Sequence, residues 1–226
     1  MPIVPELGDK RRALEALWTE TTAKSLWLPK TLWRYMNLKR RVNLRMLHRW
    51  DVDVPPPPRA LPNCRACTDI CCIGKKNQVS LRLVDIAMLM DMGREDLIAV
   101  EHDAPPKDSY ARERFLQSRT YAMFPVLKQD EQERCAALGR DKRCTIYPAW
   151  PLSCARFPYS LDLEDKEIFY SPRCPSYDIV LGHERINVMI DAALTAYNER
   201  IRDFILVEFA WAGLQRHGFA TYVRKQ

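Results

Sequence analysis

Asn63-Cys64-Arg65-Ala66-Cys67-Thr68-Asp69-Ile70-Cys71-Cys72 decides how this chain is read, because four of its eight cysteines fall within nine residues. The other four, Cys135, Cys144, Cys154 and Cys174, follow over the next hundred or so positions of the 226-residue sequence. Two cysteines separated by two residues can hold one ion, since the intervening backbone folds into a tight knuckle around it. Sets of soft thiolate ligands select zinc or iron–sulfur over hard ions such as calcium or magnesium. The crowding of the first group and the scatter of the later cysteines favour an iron–sulfur cluster over zinc, whose sites show two separated pairs. Cys71 and Cys72 are neighbours and diverge on either regular backbone, which makes them awkward ligands for one small ion. All eight cysteines are candidate metal ligands; Cys174 is also the one most easily read as a small buried hydrophobe.

Composition decides which cysteine chemistry is open to the chain. With 47% hydrophobic residues it can build a real core and does not need disulfides to fold. The N-terminal stretch Met1-Pro2-Ile3-Val4-Pro5-Glu6 lacks the unbroken apolar run of a secretory signal, and no window of about twenty apolar residues suggests a membrane span. The expected compartment is cytoplasmic, where thiols stay reduced and available to metal; a disulfide framework is the alternative reading. Arg65, Lys75, Arg134, Arg143, Arg156 and Arg173 lie close to cysteines, and of these Arg143, Arg156 and Arg173 are the candidates for balancing the charge of a thiolate cluster.

Lys+Arg number 35 against 29 Asp+Glu, a net charge of +6 that hides a strong asymmetry. From Thr21 to Trp50 there is no acidic residue, while Lys24, Lys30, Arg34, Lys39, Arg40, Arg41, Arg45 and Arg49 give eight positive charges. Trp27, Trp33, Tyr35 and Trp50 are interleaved with them. Pro29 suits the first turn of a helix, and the spacing predicts one running to about Trp50, after a shorter helix from Lys10 to about Thr19. Lys30, Arg34, Arg40, Arg41 and Arg45 are the candidate contacts for a partner or an anion. A protein partner is expected through this helix, with nucleic acid or an anionic membrane surface as alternatives.

Beyond the arm, Val54 to Pro58 must be extended, because proline fixes its own dihedral and restricts its predecessor. Ser80 reads as the N-cap of a helix over 81–92 that Gly93 closes, followed by a short helix from Arg94 to Val100 and a turn at Ala104-Pro105-Pro106. Residues 121–128 and 159–170 have strand-like composition, the second as a hairpin. From Gly182 to Gly213 the pattern is helical, with Ile186, Ile190, Leu194 and Tyr197 on one stripe. The fold class is therefore α+β and mainly helical: an irregular cysteine-rich core with short strands, flanked by a basic helical arm and long C-terminal helices. The expected organisation is an arm at 1–54, a proline-rich linker at 55–62, a cysteine-cluster domain at 63–180 and a helical segment at 181–226 packing on it.

The later cysteines sit in Arg143-Cys144-Thr145-Ile146-Tyr147-Pro148-Ala149-Trp150-Pro151-Leu152-Ser153-Cys154-Ala155-Arg156-Phe157-Pro158, with Cys135 nine residues before Cys144. Together with the Cys64–Cys72 group and Asp85 in the helix after it, this block resembles the CxxCxxCC family, YkgJ-like cysteine-cluster proteins described as chelating zinc or iron. The resemblance runs from Cys64 to about Pro175. Two departures stand out: the first group has two and then three intervening residues, and Trp150 occupies the place of an arginine. The resemblance implies metal binding. Flagellin lysine methylases show a similar cysteine pattern associated with an iron–sulfur cluster, but this chain has no glycine-rich loop for a methyl donor.

The expected function is a metal-binding cysteine cluster in a structural or redox role, with the basic helix for docking. The alternatives are a metal-dependent enzyme or accessory subunit, and a zinc-stabilised module that binds nucleic acid or anionic surfaces. His48, His102, His183 and His217 are scattered and none stands at ligand spacing from a cysteine, so no catalytic residue is assigned and an enzyme is the lesser expectation.

Overall fold

A computed structural model describes residues 8–23, 29–42, 44–53, 71–74, 79–100, 122–161, 167–170 and 183–225. The run from Val54 to Pro58, the turn at Ala104, and Cys64, Cys67, Arg173 and Cys174 lie outside them. The protein is mainly helical with short strands, the α+β class that the sequence predicts. Its described residues group into two units, one drawing on Met1–Arg45, Ser80–Lys128 and Glu199–Gln226, the other on Met46–Val79 and Gln129–Asn198.

In the first unit, α1 (Asp9–Ala23) packs against α3 (Leu83–Asp91), and Leu14 and Leu17 of α1 and Ile86 and Leu89 of α3 are buried. On each helix the pair is three residues apart, which puts it on one helical face. Asp91 joins the two helices chemically. Its Oδ1 and Oδ2 accept from the backbone N–H groups of Lys10 (2.8 Å) and Arg11 (3.0 Å), satisfying orphan donors at the start of α1. A carboxylate is unfavourable at the end of its own helix and favourable at the start of α1, where the dipole is positive. Gly8 permits this approach, because a Cβ there would stand 2.2 Å from Asp91 Cγ.

Gly93 adopts φ +64 and closes α3 as the sequence predicts, with its N–H on Met90 O (3.0 Å) and that of Arg94 on Leu89 O (2.8 Å). The start of α3 corrects the expectation. Ser80 is not its cap: Ser80 bridges to Val126 and Leu81 N–H bonds Pro125 O at 2.9 Å, so this stretch is committed to extended pairing. The helix opens at Leu83 instead, with Asp85 Oδ2 accepting from Arg82 N–H at 2.8 Å. Nor is Arg94–Val100 an α-helix. Glu95–Leu97 makes one 3-10 turn, and Ile98–Ala99 (β1) pairs antiparallel with Val126–Leu127 (β3), Ile98 opposite Leu127. Ala122–Met123 (β2) pairs with a C-terminal strand, Arg224–Lys225, so the strand composition at 121–128 serves two separate ribbons.

The basic helix, α2, spans Pro29–Arg41 and is shorter than the predicted run to Trp50. Lys39, Arg40 and Arg41 fill its last turn, where cations suit the helix dipole, and Val42 and Asn43 are both weaker helix formers. In the second unit Asn198 binds Leu47, its Oδ1 accepting from Leu47 N–H (3.0 Å) and its Nδ2 donating to Leu47 O (2.8 Å). Side-chain bonds to both backbone groups of one residue take the place of helical partners.

A long helix, α5 (His183–Phe209), begins in the second unit and ends in the first, and Ala210 separates it from α6 (Trp211–Arg216). Ile190, Leu194 and Tyr197 are buried on the predicted stripe. The hairpin at 159–170 has a definite register: β4 (Tyr159–Leu161) lies antiparallel to β5 (Ile168–Tyr170), with Leu161 opposite Ile168. Ile146 and Ile168 are fully buried in this unit.

The first unit also buries charge. Asp203, at 1% exposure, accepts weakly from Leu83 N–H (3.3 Å) and lies 3.9 Å from Arg82 Nη1. Burial pushes its carboxyl well above the usual range, with Glu199 and Asp85 adding to the effect while Arg82 and the Leu83 N–H oppose it. Its folded value is thus higher than its unfolded value of about 4. The stability tied to this group is complete below that pH and is lost as pH rises through the folded value. Asp203→Asn, which cannot ionise, is expected to flatten the fall in unfolding free energy with rising pH above about 4. A slope unchanged in the variant, followed by urea melts across pH, would contradict this.

Candidate metal centre

Three backbone segments of the second unit carry the five described cysteines. The first is Cys71–Gly74. Cys72 O accepts from Cys135 N–H at 2.8 Å, Ile73 bridges to Arg134, and Gly74 N–H reaches Glu133 O at 2.8 Å. This short antiparallel pairing places Cys72 beside Cys135, 63 positions later in the chain. Gln129 fastens it, its Nε2 donating to Gly74 O (3.3 Å) and Glu133 O (3.2 Å).

The loop before Cys135 is built on Asp130, whose Oδ1 accepts from the N–H groups of Gln132 (3.0 Å) and Arg134 (2.8 Å). An aspartate that bonds backbone two residues on replaces a regular turn, and here it turns Cys135 back to bridge Gln129. A second loop follows directly. Leu138 N–H bonds Cys135 O (2.9 Å), Gly139 N–H bonds Arg143 O (2.7 Å), and Thr145 N–H and Oγ1 both reach Ala137 O. Leu138 consequently bridges to Cys144, so that Cys135 and Cys144 flank one closed loop.

Cys154 lies on the single-turn helix α4 (Leu152–Ala155). Its N–H bonds Pro151 O at 2.8 Å and its carbonyl accepts from Phe157 N–H at 3.2 Å. Cis peptide bonds at Tyr147-Pro148 and Phe157-Pro158 stand on either side of this turn. Trp150 is exposed and packs edge-on against Tyr147 with ring centroids 5.1 Å apart.

The sulfurs of these segments sense one another. The Cys72 thiol donates to the Cys71 sulfur, which lowers Cys71 to about 7 against the opposing effect of burial. Cys72 is pushed far up, first by that bond and by burial, then by negative charge on Cys71, Cys135 and Cys154. Burial raises Cys135, and charge on Cys144 and Cys71 adds to it. Negative charge on neighbouring cysteines thus disfavours the thiolate forms of Cys72 and Cys135 in the absence of a cation. A bound metal ion inverts that logic, because its own charge stabilises the thiolates that ligate it. The donor set fits a thiophilic metal.

Among the described residues no group of three Cys, His, Asp or Glu side chains is arranged to hold an ion. Cys64, Cys67 and Cys174, three of the predicted ligands, lie outside the described residues. Of the predicted charge-balancing residues, Arg143 is exposed, while Arg156 turns its Nη1 to Ser160 Oγ (2.8 Å) and Tyr159 O (3.3 Å). On the basic arm, Arg34 points inward, its Nε 2.7 Å from Glu208 Oε1 and its guanidinium over the Phe209 ring; Lys30, Arg40, Arg41 and Arg45 are exposed. His48 stacks on Trp50 at 4.5 Å, and His217 follows α6, its carbonyl accepting from Lys10 Nζ.

Sequence reading passed over Gln129 and Asp130, which hold the backbone of the cysteine-bearing loops. Their signal was the polar run Gln129-Asp130-Glu131-Gln132-Glu133, a turn composition directly before a cysteine.

Such a site belongs to the class of cysteine-cluster metal proteins. The family model CxxCxxCC, "Putative zinc- or iron-chelating domain", matches residues 63–175, half of the chain, and the chain belongs to that family. No curated protein and no solved structure matches it.

Proposed function

We propose that this protein chelates iron, as an iron–sulfur cluster, or zinc, through the thiolates of Cys64, Cys67, Cys71, Cys72, Cys135, Cys144 and Cys154, with Cys174 as a further donor. The observation that carries the reading is the 2.8 Å backbone bond between Cys135 and Cys72, which joins the two halves of the cysteine motif. Seven sulfurs exceed the four that one tetrahedral zinc takes, which favours a polynuclear centre, and iron–sulfur first. The metal's role is to fasten loops whose described strands, Tyr159–Leu161 and Ile168–Tyr170, are three residues long. With iron the same site adds electron transfer or oxidant sensing, which zinc has no redox chemistry to support.

Anaerobic purification, followed by metal and acid-labile sulfide analysis with a visible spectrum, tests this. Brown protein with iron and sulfide is the expected result. Colourless protein with stoichiometric zinc restricts the role to structure, and protein without either metal overturns the reading.

A further inference from the structure

The outward face of α2 has a composition that the metal site does not explain. Leu32, Trp33 and Met36 are 41%, 67% and 46% exposed, a contiguous apolar ridge at positions i, i+1 and i+4 of one helix. At 100° per residue, Lys39 falls on one side of this ridge, Lys30 and Arg41 fall on the other, and Arg40 lies between Met36 and Trp33 one turn on. Among the described residues these four cations make no ion pair, and α2 contains no acidic residue. The opposite face is fixed: Leu38 is 1% exposed, and Arg34 is bonded to Glu208 through both its side chain and its carbonyl. The ridge is therefore presented by an anchored helix.

We infer that this face docks on an anionic phospholipid surface, with Trp33, Leu32 and Met36 entering the headgroup boundary and Lys30, Lys39, Arg40 and Arg41 pairing with lipid phosphates and carboxylates. Cations on both flanks of an apolar ridge suit a flat anionic interface, which engages both flanks at once, while long basic side chains reach back to the headgroups as the ridge sinks. Single-stranded nucleic acid is the poorer match. It is bound by rows of aromatic rings, whereas this ridge offers one exposed ring beside two aliphatic side chains on which a base cannot stack. No described helix is long and apolar enough to cross a membrane, so the contact is with the surface.

The test is co-sedimentation of the full chain with vesicles of equal parts phosphatidylserine and phosphatidylcholine, and with phosphatidylcholine alone. Binding to the mixed vesicles only, weakening as salt rises, is expected. Removing charge with Lys30→Gln, Lys39→Gln, Arg40→Gln and Arg41→Gln should weaken partitioning about fivefold for each cation lost, and Trp33→Ala should weaken it with all cations in place. These residues are exposed, so circular dichroism and melting should be unchanged. No sedimentation, sedimentation that ignores the substitutions, equal binding to neutral vesicles, or retention on an oligonucleotide but not on vesicles would each overturn the proposal. So would a Trp33→Ala variant that loses stability, since the ridge would then be an internal contact.

Discussion

Cys135→Ser is expected to leave the protein without its metal and to loosen residues 129–161. Serine preserves the backbone, including the N–H that bonds Cys72 O, so the change isolates the sulfur. Its hydroxyl is a hard, weak ligand where a soft thiolate stood. The effect should be large because, among the described residues, the β pairing of this region is limited to isolated bridges at Ile73, Gln129 and Leu138 and one hairpin of three-residue strands. Structural zinc is worth on the order of 10 kcal/mol in small metal-folded domains, comparable to the whole stability of a typical protein. Metal content should fall sharply, and amide exchange across 129–161 should accelerate to the level reached when the native protein is treated with a chelator. Cys67→Ser, Cys72→Ser, Cys144→Ser and Cys154→Ser should follow the same course, and full metal retention in all of them would remove the thiolate site from the account.

Phe204→Ala is expected to destabilise the first unit by about 3–5 kcal/mol, the range for emptying a large aromatic site in a packed core. Phe204 is 1% exposed, meets Phe124 edge-to-face at 5.9 Å, and lies under the Arg200 guanidinium at 5.3 Å. The loss therefore combines transfer energy, a cavity and a directional ring contact. Denaturant melts should show it as a lower midpoint. Trp33→Ala, which removes a larger ring from a 67% exposed position, should stay within about 0.5 kcal/mol of the native protein. A Phe204→Ala loss no larger than that of Trp33→Ala would contradict the burial on which the core assignment rests.

Helices were most legible where apolar spacing and a stop signal coincided. Leu14 and Leu17 in α1, the Gly93 terminus of α3, and the stripe Ile190, Leu194 and Tyr197 in α5 all follow from local pattern. The errors have one physical origin, which is long-range pairing that overrides local preference. Ser80 is a good cap by type, yet Val126 and Pro125 take the backbone around it into extended structure. Ile98 and Ala99 pair with β3 instead of continuing a helical turn, and Asn198 bonds both backbone groups of Leu47 where the basic pattern alone suggested helix. None of these partners is within reach of a sequence window.

The metal centre divides in the same way. That the first cysteine group and Cys135 come together is implicit in the cysteine density, and backbone pairing between Cys72–Gly74 and Glu133–Cys135 brings it about. The residues that hold these loops, Gln129 and Asp130, are unremarkable by type and take their importance from backbone groups they bond across the loop. Buried Asp203 was equally hidden, because only the arrival of Arg82 and Leu83 makes its burial tolerable.

X-ray absorption at the iron and zinc edges of the anaerobically purified chain tests the thiolate centre most directly. The account predicts a first shell made of sulfur, at about 2.3 Å if the metal is zinc, with a further metal–metal shell if it is an iron–sulfur cluster. A first shell of nitrogen and oxygen, or a native chain that carries neither metal, would contradict it.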